Sequence, residues 1–235
     1  MNNKDNSEFI FTLSCPDTSG IVAEVAGFMA KSNLTIKESN QFGDSETNSF
    51  FMRVKALSIN GNDKIDINDI RNNFKLIAKK RKMEFNIYNA NEVPKIIIMV
   101  SKFDHCLVDL LYRVKIGELK AKIVAIISNH SDTEMLANSY GIPFHYIKVT
   151  NENKKSAENA LEQLITKYNA EAIILARYMQ ILSKEISDKY SSKIINIHHS
   201  FLPSFKGASP YKQAYKRGVK LIGATAHFVT SDLDE

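Results

Sequence analysis

From residue 95 to residue 197 the apolar residues gather in short runs: Lys95 to Val100, Lys122 to Ile127, Ala172 to Leu175 and Ile194 to Ile197. A strand wetted on one side alternates apolar and polar residues, whereas a strand apolar along its length is buried on both faces. Amphipathic helical stretches, such as Cys106 to Val114 and Ser156 to Lys167, lie between the runs. The pattern predicts an α/β unit: a Rossmann-like, mostly parallel sheet with helices on both sides. Such sheets take their ligands beyond the carboxyl ends of the strands, so candidate chemistry belongs there.

Residues 1–89 follow a different pattern. Phe9 to Leu13 is a strand, ended by Pro16, after which Thr18 or Ser19 is positioned to cap a helix. Ile21, Val22, Val25, Phe28 and Met29 recur at helical spacing. Leu34 to Gln41 and Ser49 to Leu57 read as strands joined by a polar hairpin turn, Phe42 to Asn48. Ile67, Ile70, Phe74, Ile77 and Ala78 make a second helix, and Met83 to Tyr88 a last strand. The order βαββαβ is ferredoxin-like. The expected organisation is therefore a first domain over 1–89, a polar linker over 90–94 and a second domain over 95–235.

Composition narrows the function classes. A formal net charge of +5 is a mild excess spread along the chain. Its one dense cluster, Lys79 to Lys82, suits the end of a helix as a solvated face. No nucleic-acid motif accompanies it, so no nucleic-acid partner is expected. No apolar run is long enough to span a membrane, and the polar start of the chain lacks the apolar core of a secretory signal. Cys15 and Cys106 stand far apart, outside any metal-like spacing. These features predict a cytoplasmic, reduced chain with no metal and no membrane partner.

The densest polar cluster is Asn196-Ile197-His198-His199-Ser200, at the end of an apolar run. Asn196 and His198 are two apart, hence on the same side of an extended backbone. An amide donor beside an imidazole suits attack on a carbonyl-like carbon: the amide stabilises the oxyanion and the imidazole carries a proton. A second cluster, Gly223 to Glu235, begins as a strand and ends in an acidic loop, whose carboxylate could assist His198. Each feature also has a purely structural explanation. Asn-x-His at a strand end serves turns as readily as catalysis, and His105-Cys106 is a helix start followed by a buried thiol as readily as a nucleophile pair. From the residues alone the reading stops at an α/β enzyme acting on a carbonyl.

Three stretches go further. Asn196-Ile197-His198, Ser200-Phe201-Leu202-Pro203, and His227-Phe228-Val229-Thr230 through Leu233-Asp234 match, in order and spacing, the active-site pattern of the folate-dependent formyltransferase fold. The resemblance implies that Asn196 polarises the formyl oxygen, His198 moves the proton and Asp234 orders a water. Leu175 to Ser183 resembles the family's folate-binding segment, with Gln180 where an arginine is usual. It implies folate contacts from Met179, Gln180, Ile181, Leu182, His227 and Val229. Ser128-Asn129-His130, His199 in place of a proline, and Ser101 to Leu111 in place of a glycine-rich phosphate loop resemble the formyltetrahydrofolate deformylases most closely. That resemblance implies hydrolysis of 10-formyltetrahydrofolate to tetrahydrofolate and formate, supplying formate for purine synthesis and balancing one-carbon pools, with the folate as substrate and no cofactor required. Cys15 to Val22 resembles the turn between first strand and first helix of an ACT domain. It implies an amino-acid effector, methionine or glycine, at Asp17, Ser19, Gly20 and Ile21, and by analogy a homo-oligomer. A folding and dimerisation module without a ligand is the equal alternative.

Two competing functions share these residues: formyl transfer to a small amine, and an ACT-mediated binding subunit or truncated enzyme without catalysis. The family pattern continues past Asp234 with a further strand and helix. The expectation is a catalytic domain truncated at its C-terminus, and impaired unless extended.

Overall fold

The structure, a computed structural model, describes residues 7–59, 66–200 and 210–232. The chain divides into two compact units, 1–92 and 93–235.

The first unit runs β1 (Glu8–Pro16), α1 (Ile21–Lys31), β2 (Leu34–Asp44), β3 (Ser49–Ser58), α2 (Ile67–Arg81) and β4 (Glu84–Asn89). Its antiparallel sheet has the order β2-β3-β1-β4, an ACT-like arrangement. β1 alternates strictly, with Phe9, Phe11, Leu13 and Cys15 buried. Both helices cover that face. Phe74 of α2 lies edge-on to Phe28 of α1 and to Phe85, with ring centroids 5.0 Å away in each case, and to Phe11 at 5.8 Å. Offset and edge-to-face rings fill a core densely while matching ring quadrupoles.

Several boundaries differ from the sequence reading. β1 continues past Leu13, and Pro16 is its last paired residue, opposite Ser49, a strand end where proline is tolerated. β2 extends through Phe42 to Asp44. The hairpin tightens because the Asp44 carboxylate accepts from Glu46 N at 3.0 Å and from Thr47 Oγ1 at 2.6 Å, a short-range turn that competes with strand pairing. Neither Thr18 nor Ser19 caps α1. The cap position is Gly20, at φ +87° and without a side-chain cap bond. The turn's oxygens are taken by Arg81, whose Nη1 donates to Thr18 Oγ1 and to Ser19 O at 3.0 Å each.

Arg81 thus departs from the solvated face expected of the basic cluster. Its Nε and Nη2 donate to both oxygens of Glu24, at 2.9 and 3.0 Å, and Lys80 Nζ adds a third bond at 2.7 Å. The Arg81 guanidinium, then the Lys80 ammonium, hold the Glu24 carboxyl well below its usual value, at about 2. A carboxyl with a depressed folded pKa binds its proton more readily when unfolded. Its stabilisation is therefore complete above its ordinary value of 4.5 and is lost as pH falls toward about 2. In urea unfolding followed across that acid window, the parent midpoint should fall more steeply than that of Glu24→Gln; parallel curves would show that the clamp adds nothing to stability.

The second unit contains β5 (Lys95–Val100), α3 (His105–Lys115), β6 (Lys122–Ser128), α4 (Glu134–Ser139), β7 (Phe144–Tyr146), α5 (Lys154–Tyr168), β8 (Ala172–Leu175), α6 (Lys184–Lys189), β9 (Ile194–His198), α7 (Pro210–Lys216) and β10 (Thr225–Phe228). The sheet order is β10-β9-β8-β5-β6-β7, parallel except for β10 against β9. β5 shows why its sequence is apolar throughout. Ile96, Ile98 and Val100 pack on one face with Leu107 and Leu111 of α3, while Ile97 and Met99 pack on the other with Leu161 and Ile165 of α5. The short elements α4, α6, α7 and β7 went unread in the sequence, since three to seven residues carry too little periodicity to register. Among the described residues no helix is long and apolar enough to cross a membrane.

Candidate active site

Parallel pairing sets Asn196 of β9 level with Leu175, the last residue of β8. Ile197 and His198 therefore extend past the end of β8, at the carboxyl edge where the sheet opens. A cavity of about 290 Å³ lies there, lined by Asn196, His198, Met179, Gln180, Ile181, Leu182, His227 and Val229 among others. Ile197 and His199 also face it, so strict strand alternation has ended at this edge. His198 is buried at 6% exposure, and its ring centroid lies 5.4 Å from that of His199 and 6.4 Å from that of His227. Asp234 and the run 201–203 lie outside the described residues; Asp232, also on the cavity wall, is the last residue described.

The register of β10 on β9 places His227 directly opposite Asn196. Asn196 Nδ2 lies 3.2 Å from His227 Nε2, and His227 Nδ1 lies 3.1 Å from the carbonyl of Phe228. A carbonyl only accepts, so Nδ1 carries the proton in that bond and Nε2 is left to accept from the amide. The imidazole thereby fixes which way the Asn196 amide points and leaves its second N–H for the cavity. Sequence reading assigned His227 only to folate contact; the positioning of Asn196 depends on a strand register that no local motif records.

The segment after β8 is held from below. Ser101, at the end of β5, accepts from Met179 N at 2.9 Å and donates to Asn129 Oδ1 at 2.7 Å. Ser101 and Asn129 are both buried, so each is a polar group that requires a partner. Ser183 N donates to Glu158 at 2.7 Å and Ser183 Oγ accepts from Ile186 N at 3.3 Å, starting α6. Pinned at both ends, the segment presents Met179 and Ile181 with more than half their surface exposed, an apolar wall suited to a flat ring. Burial, reinforced by Glu158, pushes the Tyr178 phenol up to about 12 and keeps it neutral. Ser101 and Asn129 figured in the sequence only as parts of longer motifs, and Arg177, on the same wall at φ +59°, had no assigned role.

Cys106 is half-buried against the core, and desolvation pushes its thiol up, which disfavours a thiolate nucleophile. Among the described residues no group of three His, Cys, Asp or Glu side chains could hold a metal ion. In the first unit, Asp17, Ser19 and Gly20 are exposed on the turn before α1, whereas Ile21 is a core residue at 2% exposure. Ile21 therefore has only its backbone to offer a ligand.

A family model for formyl transferases matches residues 94–235. A formyltetrahydrofolate deformylase from Corynebacterium sp. (strain P-1) is 46% identical over 226 residues, covering 96% of this chain and 78% of the relative. The crystal structure of formyltetrahydrofolate deformylase from Burkholderia mallei ATCC 23344 is similar at a TM-score of 0.88 and 46% identity, over 97% of this chain and 80% of that one. A phosphoribosylglycinamide formyltransferase from Anaplasma phagocytophilum is similar at a TM-score of 0.55 and 31% identity, over 61% of this chain and 68% of that one. Similarity to the deformylases spans both units while the transferase matches a smaller share, and the chain belongs to the formyltetrahydrofolate deformylase family.

Proposed function

We infer that the protein hydrolyses 10-formyltetrahydrofolate to tetrahydrofolate and formate. The observation that carries this reading is the cavity at the carboxyl edge of the sheet that is lined both by Asn196 and His198 and by the wall of Met179 to Leu182. The folate ring lies against that wall and is read at its edge by backbone groups, so Gln180 in place of arginine alters local charge more than binding. Water attacks the formyl carbon as neutral His198 takes its proton. The Asn196 amide donates to the oxygen that becomes negative. Collapse breaks the carbon–nitrogen bond, and the proton passes to the departing folate nitrogen. Asp234 orders the water and stabilises the imidazolium. The products supply formate for purine synthesis and return tetrahydrofolate to the one-carbon pool. The first unit is the regulatory module of the same reading. An amino acid such as methionine or glycine would bind at the turn of Asp17 to Gly20, where a side chain on Gly20 would meet Arg81 Nη2 at 3.2 Å, and copies of the chain would associate through this unit.

Formate measured after incubation of the purified chain with 10-formyltetrahydrofolate tests the activity, and intact substrate with no formate would overturn it. Ser101→Ala should separate binding from chemistry. It strips partners from the buried Asn129 Oδ1 and from Met179 N–H, a loss of about 1–2 kcal/mol or ~5- to 30-fold. We expect that loss in KM for the folate, with kcat changed less. An unchanged KM would mean that the segment does not contact the substrate.

A further inference from the structure

The order β10-β9-β8-β5-β6-β7 changes direction between β5 and β8: β6 follows β5 on one side, and β9 follows β8 on the other. Open α/β sheets take ligands in the crevice at such a switch point, beyond the two carboxyl ends. Here that crevice is filled from within. Arg177, two residues past β8, lays its guanidinium on Phe103 from the segment after β5, with Cζ 4.4 Å from the ring centroid. Its Nη1 lies 3.4 Å from His105 Nε2 in the first turn of α3. Arg177 lines the cavity that holds Asn196 and His198, while Phe103 and His105 do not. Arg177 therefore joins the wall of that cavity to the segment after β5. Arg177 also holds φ at +59°, a left-handed conformation that favours glycine over a long side chain. A residue kept there is over-determined by its surroundings, and such outliers gather at functional sites.

We propose that Arg177, seated on Phe103, excludes amine acceptors from the formyl carbon and so makes water the acceptor. The proposal rests on the deformylase reading above and adds the residue that decides the second substrate. Fold does not decide it, because a solved structure named as a phosphoribosylglycinamide formyltransferase shares the fold. With either acceptor the chemistry balances in the same way. A lone pair attacks the formyl carbon, the carbonyl oxygen takes the charge, and the bond to the folate nitrogen breaks as that nitrogen gains a proton. Water yields formate and an amine yields a formamide, with nothing oxidised or reduced. Arg177 discriminates by volume, occupying the approach from the switch point. It also discriminates by charge: an amine arrives mostly as its ammonium ion, which the permanently cationic guanidinium repels before it can lose a proton and present the lone pair that attacks. Its Nε is buried without a hydrogen-bond partner among the described residues.

The test uses the full chain, Arg177→Gly and Phe103→Ala. Glycine suits the positive φ, and the second variant removes the ring beneath the guanidinium without altering that backbone. Each is incubated with 10-formyltetrahydrofolate and glycinamide as the amine probe, and formate and N-formylglycinamide are quantified in the same reaction. The parent should release formate with only a trace of formamide. Arg177→Gly should raise the formamide-to-formate ratio by about 10- to 100-fold, and Phe103→Ala should raise it less. Formate from the parent, with no rise in formamide from either variant, would overturn the proposal alone. No formate from the parent would overturn the proposal and the deformylase reading together.

Discussion

Replacing His198 with alanine should lower kcat for formate release by about 10²- to 10⁴-fold, the usual contribution of a positioned general acid–base. The Kd for a non-hydrolysable folate should hardly change, because the proposed function gives the folate's contacts to the wall of Met179 to Leu182 rather than to His198. The physical reason is the position of the imidazole. It is buried at 6% exposure at the end of β9 and faces the cavity beyond the last residue of β8. Without it, the attacking water has no positioned base to take its proton. Steady-state formate release beside equilibrium folate binding separates the two effects. Equal losses in both would mean that His198 binds and does not catalyse. The double replacement of His198 and Asp234 should fall well short of the product of the two single losses, as expected for residues acting as one unit.

Asn196→Ala should reduce kcat by about 10²- to 10³-fold, the range observed when one oxyanion donor is removed. This loss reflects charge developing on the formyl oxygen, so ground-state binding of the folate should change little. The 3.2 Å contact between Asn196 Nδ2 and His227 Nε2 adds a sharper expectation. His227 acts through the amide, so His227→Ala should cost less than Asn196→Ala. Adding His227→Ala to Asn196→Ala should then cost little more, because the group it orients is already gone. Additive losses would instead give His227 an independent contact with the substrate.

The deformylase assignment and the two-part α/β plan were both legible in the residues, through different signals. The first unit was readable because one-sided burial writes alternation into β1 and helical spacing into α1 and α2. The second was readable because two-sided burial writes unbroken apolar runs, as in β5 and β6. Asn196 and His198 were recognisable because a short motif places both on one strand end. The cap of α1 was misread because Thr18 and Ser19 have the right chemistry for capping, yet their oxygens are engaged by Arg81. Nothing near Thr18 in the sequence indicates an arginine that arrives from the end of α2.

The sequence by itself determined which residues are buried, where strands and helices alternate, and which strand end carries the amide and imidazole. These properties follow from the spacing of apolar side chains along one element, and spacing is local. Tertiary structure alone decided the partners: Arg81 clamping Glu24 across 57 residues, Arg177 reaching His105 across 72, and His227 set against Asn196 across 31. Such pairs arise from sheet order and strand register, which come from packing the whole unit at once, and a polar side chain carries no mark of the distant group it will meet.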